Sequence, residues 1–191
     1  MIVYRCPQFN LLWYEVPKVG CSSLKVFCEK NDYEYNSVKL KHLYGHRNHF
    51  QFAFVRNPWD RLVSCFLDKT KKTIGTKYQL RDYVKYKNHS FTEFVHAIKN
   101  EDFSNCNRHH RLQYNLINHD HVNFIGRFEN FQTDFEYVCN LVGITQYNLP
   151  HWNKSKRKHY TEYYDDETRE IVAEKYAKDI EYFGYEFYKS V

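Results

Sequence analysis

The sequence predicts an α/β fold, a parallel sheet flanked by helices, and three observations carry that expectation. A short apolar run at Leu11–Val16 gives way to a small-residue loop and then to apolar residues at helical spacing. The same order returns at Phe50–Val55, where Phe50, Phe52 and Phe54 alternate ahead of a helical stripe. A third unit follows at Val122–Ile125 with Phe131, Phe135, Val138 and Leu141 behind it. Strand–loop–helix units in series imply parallel strands joined by helices that cover both faces of the sheet.

Each element has a local reason. Leu11, Leu12, Trp13, Tyr14 and Val16 form the continuous apolar run of a strand buried on both faces. Pro17-Lys18-Val19-Gly20-Cys21-Ser22-Ser23 interrupts it, and Leu24, Phe27 and Cys28 then mark a helix. After the second strand, Asn57-Pro58 supplies an N-cap and a first-turn proline, with Asp60 favourable at the positive helix end. Leu62, Val63, Phe66 and Leu67 are that helix's buried stripe. Ser90-Phe91-Thr92-Glu93 has the form of a capping box ahead of Phe94, Val95 and Ile98. Gly143 stops the helix of the third unit. A last helix is expected from Asp165-Asp166 through Ile171, Val172, Tyr176 and Ile180 to Gly184.

Length and composition bound the class. The 191 residues suit one domain, 1–191, and no repeat or low-complexity linker divides them. The 18 Tyr and 15 Phe, against 6 Gly and 4 Pro, supply the buried area that a disordered chain lacks. A net charge of +5 suits anionic ligands without requiring nucleic acid, and no stacking-platform motif for RNA is visible. The six cysteines contain no CxxC pair and read as reduced, mostly buried thiols. No run approaches the roughly 20 apolar residues that cross a bilayer, and no secretory leader is recognisable, so a cytoplasmic chain is expected. The oligomeric state leaves no mark in the sequence.

The loop after the first strand has the makings of an anion site. N–H groups at a helix start lack intrahelical partners, and the helix dipole adds partial positive charge. Gly20 allows close backbone approach, Ser22 and Ser23 offer hydroxyls, and Lys18 brings a cation. The GxxxxGK[ST] pattern of ATP-binding loops is absent, which disfavours a nucleotide kinase. In the second unit Arg56 stands at the carboxyl end of its strand, where parallel sheets bind ligands, and Ser64 follows two helical turns on. An arginine fork and a serine hydroxyl are suitable donors to one phosphate.

Taken together, these segments resemble the PAPS-dependent sulfotransferases, enzymes that use 3′-phosphoadenosine 5′-phosphosulfate. Residues 17–23 are similar to their 5′-phosphosulfate loop. Phe52-Ala53-Phe54-Val55-Arg56-Asn57-Pro58-Trp59-Asp60-Arg61-Leu62-Val63-Ser64 is similar to their 3′-phosphate motif. The likeness is to the carbohydrate-type branch, sulfotransferase family 2, which includes chondroitin and dermatan sulfotransferases. Ile125-Gly126-Arg127-Phe128-Glu129 and the stretch from Asn153 to Phe187 share it.

The resemblance implies a P-loop-like nucleotide-binding sulfotransferase fold and transfer of a sulfonate group to a hydroxyl, expected on a carbohydrate. It implies that Lys18 stabilises the departing phosphate, that Pro17, Lys18, Val19, Gly20, Cys21, Ser22 and Ser23 wrap the 5′-phosphosulfate, and that Arg56 and Ser64 hold the 3′-phosphate. A histidine base ahead of the second motif is also implied. His42 is the first candidate and His46 the second, while His49 abuts the strand. Ser155 and Arg157, in a basic run, are candidates for further nucleotide contacts. Arg108, His109, His110, Arg111 and Arg127 are candidates for receiving an anionic acceptor. No metal is expected: His109-His110 and His119-Asp120-His121 lack the i, i+4 spacing of a helical ligand pair. Two rivals stand beside this reading, a binding module that keeps PAPS or its product without catalysis, and a nucleotide kinase-like protein.

Overall fold

A computed structural model describes residues 1–39, 45–70, 77–145, 147 and 157–188, with the side chains of 77–80 excepted. They form two compact units, Met1–Arg56 with Gln113–Ser155 and Asn57–Leu112 with Lys156–Val191.

The first unit holds a five-stranded sheet in the order β3-β1-β2-β4-β5. Its strands are β1 (Val3–Cys6), β2 (Leu11–Tyr14), β3 (Asn36–Val38), β4 (Phe50–Val55) and β5 (Phe124–Arg127). Strands β2, β4 and β5 run parallel, with Trp13 opposite Phe52 and Phe52 opposite Phe124. All four residues of β2 and five of the six in β4 are buried, which is why both read as near-continuous apolar runs. Two antiparallel strands, β1 and β3, extend the sheet past β2 and were not legible beforehand. Asn10 makes β1 possible: it adopts the left-handed region at φ 49° and closes the turn from β1 into β2.

Helices α1 (Cys21–Lys30) and α5 (Phe131–Val142) pack on one face of the sheet. Phe27 and Phe135 meet edge to face at 4.9 Å, and Phe131 meets Phe54 of β4 at 4.6 Å. On the same face Trp13 stacks on Tyr4 at 5.0 Å. Gly126 pairs with Phe54 in the sheet, and a Cβ there would stand 2.5 Å from the Phe54 ring, so no larger residue fits. Strand β5 starts at Phe124, two residues later than expected. The reason is Asn123, whose N–H donates to the Gln51 carbonyl while its side chain accepts from the Gln51 N–H. It caps the strand pairing before the ladder begins. Gly143 ends α5 in the left-handed conformation, as its sequence position suggested.

The second unit is helical: α2 (Pro58–Thr70), α3 (Lys77–Tyr86), α4 (Phe91–Ile98), α6 (Asp166–Lys175) and α7 (Ala177–Phe183). Asn57 caps α2 through its side-chain oxygen, which accepts from the Trp59 N–H at 3.1 Å. The Ser90–Glu93 capping box forms at the start of α4. Leu62, Val63 and Phe66 join Phe91, Phe94 and Ile98 in one core. The single C-terminal helix expected from Asp165 to Gly184 is instead two. Tyr176 breaks it at φ −105° and ψ 17°, with its ring fully buried and its hydroxyl donating to the His110 carbonyl at 2.5 Å. The tertiary contact overrides a helical pattern that runs on through this residue.

All six cysteines carry free thiols. Among the described residues no helix is long and apolar enough to cross a membrane.

Candidate donor site

The loop from Val16 to Ser23 joins the end of β2 to the start of α1. Buried Val16, Pro17 and Val19 anchor it, while Lys18 and Gly20 remain half-exposed. Two positive φ angles turn it tightly, 72° at Lys18 and 91° at Gly20. Gly20 is required twice over, because an added Cβ would also meet the Phe131 ring at 2.5 Å. Its carbonyl accepts from the N–H groups of Ser23 and Leu24 as α1 begins. Ser22 is exposed on the first turn, whereas Ser23 is buried. The Cys21 thiol donates to the Val16 carbonyl at 2.8 Å, closing the loop on itself.

Behind the loop, Glu15 and Lys25 fasten β2 to α1. Lys25 donates to Glu15 at 2.7 Å and to the Tyr4 hydroxyl at 2.9 Å, over the Tyr4 ring. Burial works against its charge, yet the Glu15 and Tyr4 contacts outweigh it and raise the Lys25 pKa. This pair holds the helix whose N-terminus carries the loop.

Arg56 lies just past β4 and is 6% exposed. Its Nη1 donates to the Lys18 carbonyl at 3.0 Å, and its guanidinium lies over the Phe128 ring at 4.1 Å. The side-chain amide of fully buried Gln113 satisfies both of its backbone groups. The Arg56 N–H donates to Gln113 Oε1 at 2.9 Å and the Gln113 amide nitrogen donates to the Arg56 carbonyl at 2.8 Å. The structure therefore brings Arg56 to the 17–23 loop, with Phe128 and Phe131 as an aromatic wall. Gln113 went unread, because a lone glutamine far along the chain carries no motif. Phe128 stood inside the Ile125–Glu129 run and could have been singled out there.

The described histidines ahead of β4 are not brought to this loop. His46 and His49 lie beside each other at the start of β4, with ring centroids 4.7 Å apart. Because β2 and β4 are parallel, the loop and Arg56 lie at their carboxyl ends, and β4 alone rises roughly 20 Å between the two places. This removes His46 from the groups that can serve the loop. His49 is committed elsewhere: its Nε2 accepts from Arg5 Nε at 3.0 Å, and burial, His46 and Arg5 together lower its pKa. His42 and Ser155 lie outside the described residues.

In the helical unit, Ser64 is half-buried on α2. Arg157 is ion-paired through Nη2 with Asp60 in the first turn of α2, and its buried Nη1 has no hydrogen-bond partner among the described residues. The Arg108–Arg111 run is largely structural. Fully buried Arg61 donates to the carbonyls of Arg108 and Arg111, at 3.2 and 2.8 Å. The Arg111 guanidinium turns back onto the Asn105 and Cys106 carbonyls, and His110 is buried against Glu101 at 2.8 Å. Arg127, half-exposed in the sheet unit, gives its N–H to Asp134 at 2.6 Å.

A strand-end loop with a half-exposed lysine, adjoining a buried arginine, can bind a doubly phosphorylated ligand and stabilise charge on a leaving oxygen. A profile described as the sulfotransferase family matches residues 3–186. The chain is 30% identical to carbohydrate sulfotransferase 14 of Danio rerio, over 93% of this chain and 60% of that protein. It is 28% identical to carbohydrate sulfotransferase 11 of Rattus norvegicus, over 78% and 55%. With carbohydrate sulfotransferase 9 of Homo sapiens it shares 27% identity, over 93% and 48%. The chain thus spans between about half and three fifths of these relatives' length. No solved structure matches it.

Proposed function

Because the chain belongs to the sulfotransferase family, we propose that it transfers the sulfonate group of PAPS to an acceptor hydroxyl on a carbohydrate. One observation supports this reading above the rest: Arg56, from the second motif, donates to the Lys18 carbonyl in the first. The loop's open features suit the donor. Gly20 has no side chain to obstruct a phosphate, and Ser22 lies on the exposed first turn of α1.

In the proposed reaction the acceptor oxygen attacks sulfur in line. The new S–O bond forms as the bond from sulfur to the bridging oxygen breaks, and the electron pair leaves on the phosphate. The Lys18 ammonium neutralises that oxygen, and Pro17, Val19, Cys21, Ser22 and Ser23 shape the backbone cradle around it. Arg56 holds the 3′-phosphate. Ser64 is assigned to the same phosphate on the sequence motif alone, and Ser155 and Arg157 to the nucleotide on the same footing. The acceptor proton passes to a base, for which His42 is the proposed residue. No step calls for a metal. The cytoplasmic location expected from the sequence belongs to the same proposal, and cell fractionation decides it.

Calorimetric titration with 3′-phosphoadenosine 5′-phosphate, the donor product, tests the donor site. Binding that exceeds that of ADP supports it, and equal binding of the two would sink it. A radiolabelled transfer assay on a panel of glycans tests the reaction. The second reading is a donor-binding module without turnover. Tight nucleotide binding with no transfer to any glycan would establish it.

A further inference from the structure

The helical unit contains a second chemical centre that the donor reading does not use. Glu101, Cys106 and His110 each bring one metal-ligating atom, and these atoms all lie within 4.8 Å of one another. His110 is 2% exposed and its Nε2 is 2.8 Å from Glu101 Oε2. Among the described residues the Cys106 thiol makes one long contact, 3.7 Å, to the Asn107 carbonyl. Glu101 and Cys106 are half-exposed, which leaves a path from solvent.

We propose that Glu101, Cys106 and His110 bind a zinc-class divalent cation, with a water molecule as fourth ligand. Thiolate, imidazole and carboxylate together match zinc and its neighbours, whereas magnesium and calcium take oxygen ligands. Tetrahedral zinc bonds of about 2.0–2.3 Å set ligands roughly 3.4–3.8 Å apart, so the 2.8 Å Glu101–His110 pair has to open while separations of up to 4.8 Å close by as much as about 1 Å. On binding, the metal–sulfur bond replaces the S–H bond and the proton leaves to solvent; nothing is oxidised or reduced. Burial, with Glu101 beside it, pushes the Cys106 thiol up to about 12, so losing that proton subtracts from the affinity. Thiolate and carboxylate offset the ion's two charges, leaving a neutral site next to the Arg61 guanidinium.

Such an ion would fasten the segment that Arg61 and Tyr176 already hold by its backbone. Arg61 binds the carbonyls of Arg108 and Arg111, and Tyr176 binds that of His110. The ion's role is therefore to stiffen this loop against α2 and the Tyr176 break. The sequence expectation of no metal rests on the missing CxxC pair and the missing helical histidine pair, and neither pattern covers one cysteine, one histidine and one glutamate. The spacing 101, 106, 110 comes from a loop, where no i, i+4 rule applies.

The test uses the whole chain, stripped with chelator and titrated with cobalt(II) chloride. One equivalent should bind with a thiolate-to-cobalt charge-transfer band, and zinc chloride should displace it. Cys106→Ser should abolish the band. Glu101→Gln, at a half-exposed position, should retain it only at higher cobalt concentration. Zinc should also protect Cys106 of the unaltered protein from iodoacetamide, read by peptide mass spectrometry, an arm that needs no variant to fold. Absence of the band, its survival in Cys106→Ser, or equal alkylation with and without zinc would each overturn the proposal.

Discussion

Arg56 donates from Nη1 to the carbonyl oxygen of Lys18 across 3.0 Å, joining two motifs that lie 38 residues apart. Lys18 adopts a positive φ of 72°, a conformation that costs a non-glycine residue on the order of 1 kcal/mol or more. The bond from Arg56 helps hold that carbonyl where the turn requires it. The cation assigned to the 3′-phosphate thus also shapes the loop assigned to the 5′-phosphosulfate.

Arg56→Ala should weaken 3′-phosphoadenosine 5′-phosphate by about 10- to 100-fold, the equivalent of one lost charged hydrogen bond of about 1.5–3 kcal/mol. ADP, lacking the 3′-phosphate, should change far less. Calorimetry with both ligands makes the comparison. Equal losses would mean that Arg56 acts only by shaping the loop.

Gly20→Ala should destabilise the protein by about 1–3 kcal/mol and reduce donor binding more than any exposed loop change. The alanine would face a φ of 91° and a Phe131 ring 2.5 Å from its Cβ. Trimming the ring in a Gly20→Ala, Phe131→Leu double variant should recover only the steric part. Urea unfolding of the two proteins separates backbone strain from collision.

Gln113→Leu keeps the volume but leaves the Arg56 N–H and carbonyl buried without their partners. At about 1–3 kcal/mol for each unsatisfied group, unfolding free energy should fall by roughly 2–6 kcal/mol. Gln113→Glu keeps the acceptor but sets a carboxyl oxygen against the Arg56 carbonyl in a buried site, so it should recover little of the loss. If Gln113→Leu were neutral by urea unfolding, the amide would not be what closes this strand end.

The His49 ring supplies a pH dependence of definite sign. Its folded-state pKa is lowered, because burial and the neighbouring His46 and Arg5 disfavour a second proton. The unfolded chain therefore takes up that proton first, near the ordinary value of 6.5. Its contribution to stability is complete above about pH 6.5 and declines as pH falls through the depressed folded value. Thermal melts from about pH 7 to about pH 5 should show a shallower decline in His49→Gln than in the unaltered protein. Parallel curves would assign the acid sensitivity to other groups.

Local chemistry made much of this protein readable in advance. The apolar runs at Leu11–Tyr14 and Phe50–Val55 are buried parallel strands because both faces are covered. Asn57, the Ser90–Glu93 box and Gly143 mark helix ends through bonds made within a few residues, which any chain position reports. The tight turn between β2 and α1 was legible for the same reason: Gly20 and the small residues after it mark a strand-to-helix loop. What the sequence could not reveal depends on partners far along the chain. The edge strands β1 and β3 are too short to show a period, and the break at Tyr176 follows from a bond to His110, 66 residues away. Nor does spacing disclose which strand end a histidine occupies. Only the parallel register of β2 with β4 sets His46 at the end of the sheet away from Lys18. Gln113 shows the same limit, since an amide 57 residues from Arg56 becomes its clamp only once the chain has folded around both. Sequence by itself determined the family and the order of strands, loops and helices, because apolar runs, caps and turn residues act within a few positions of one another. Tertiary structure alone decided which distant side chains complete the site, because those contacts exist only after the intervening chain has closed.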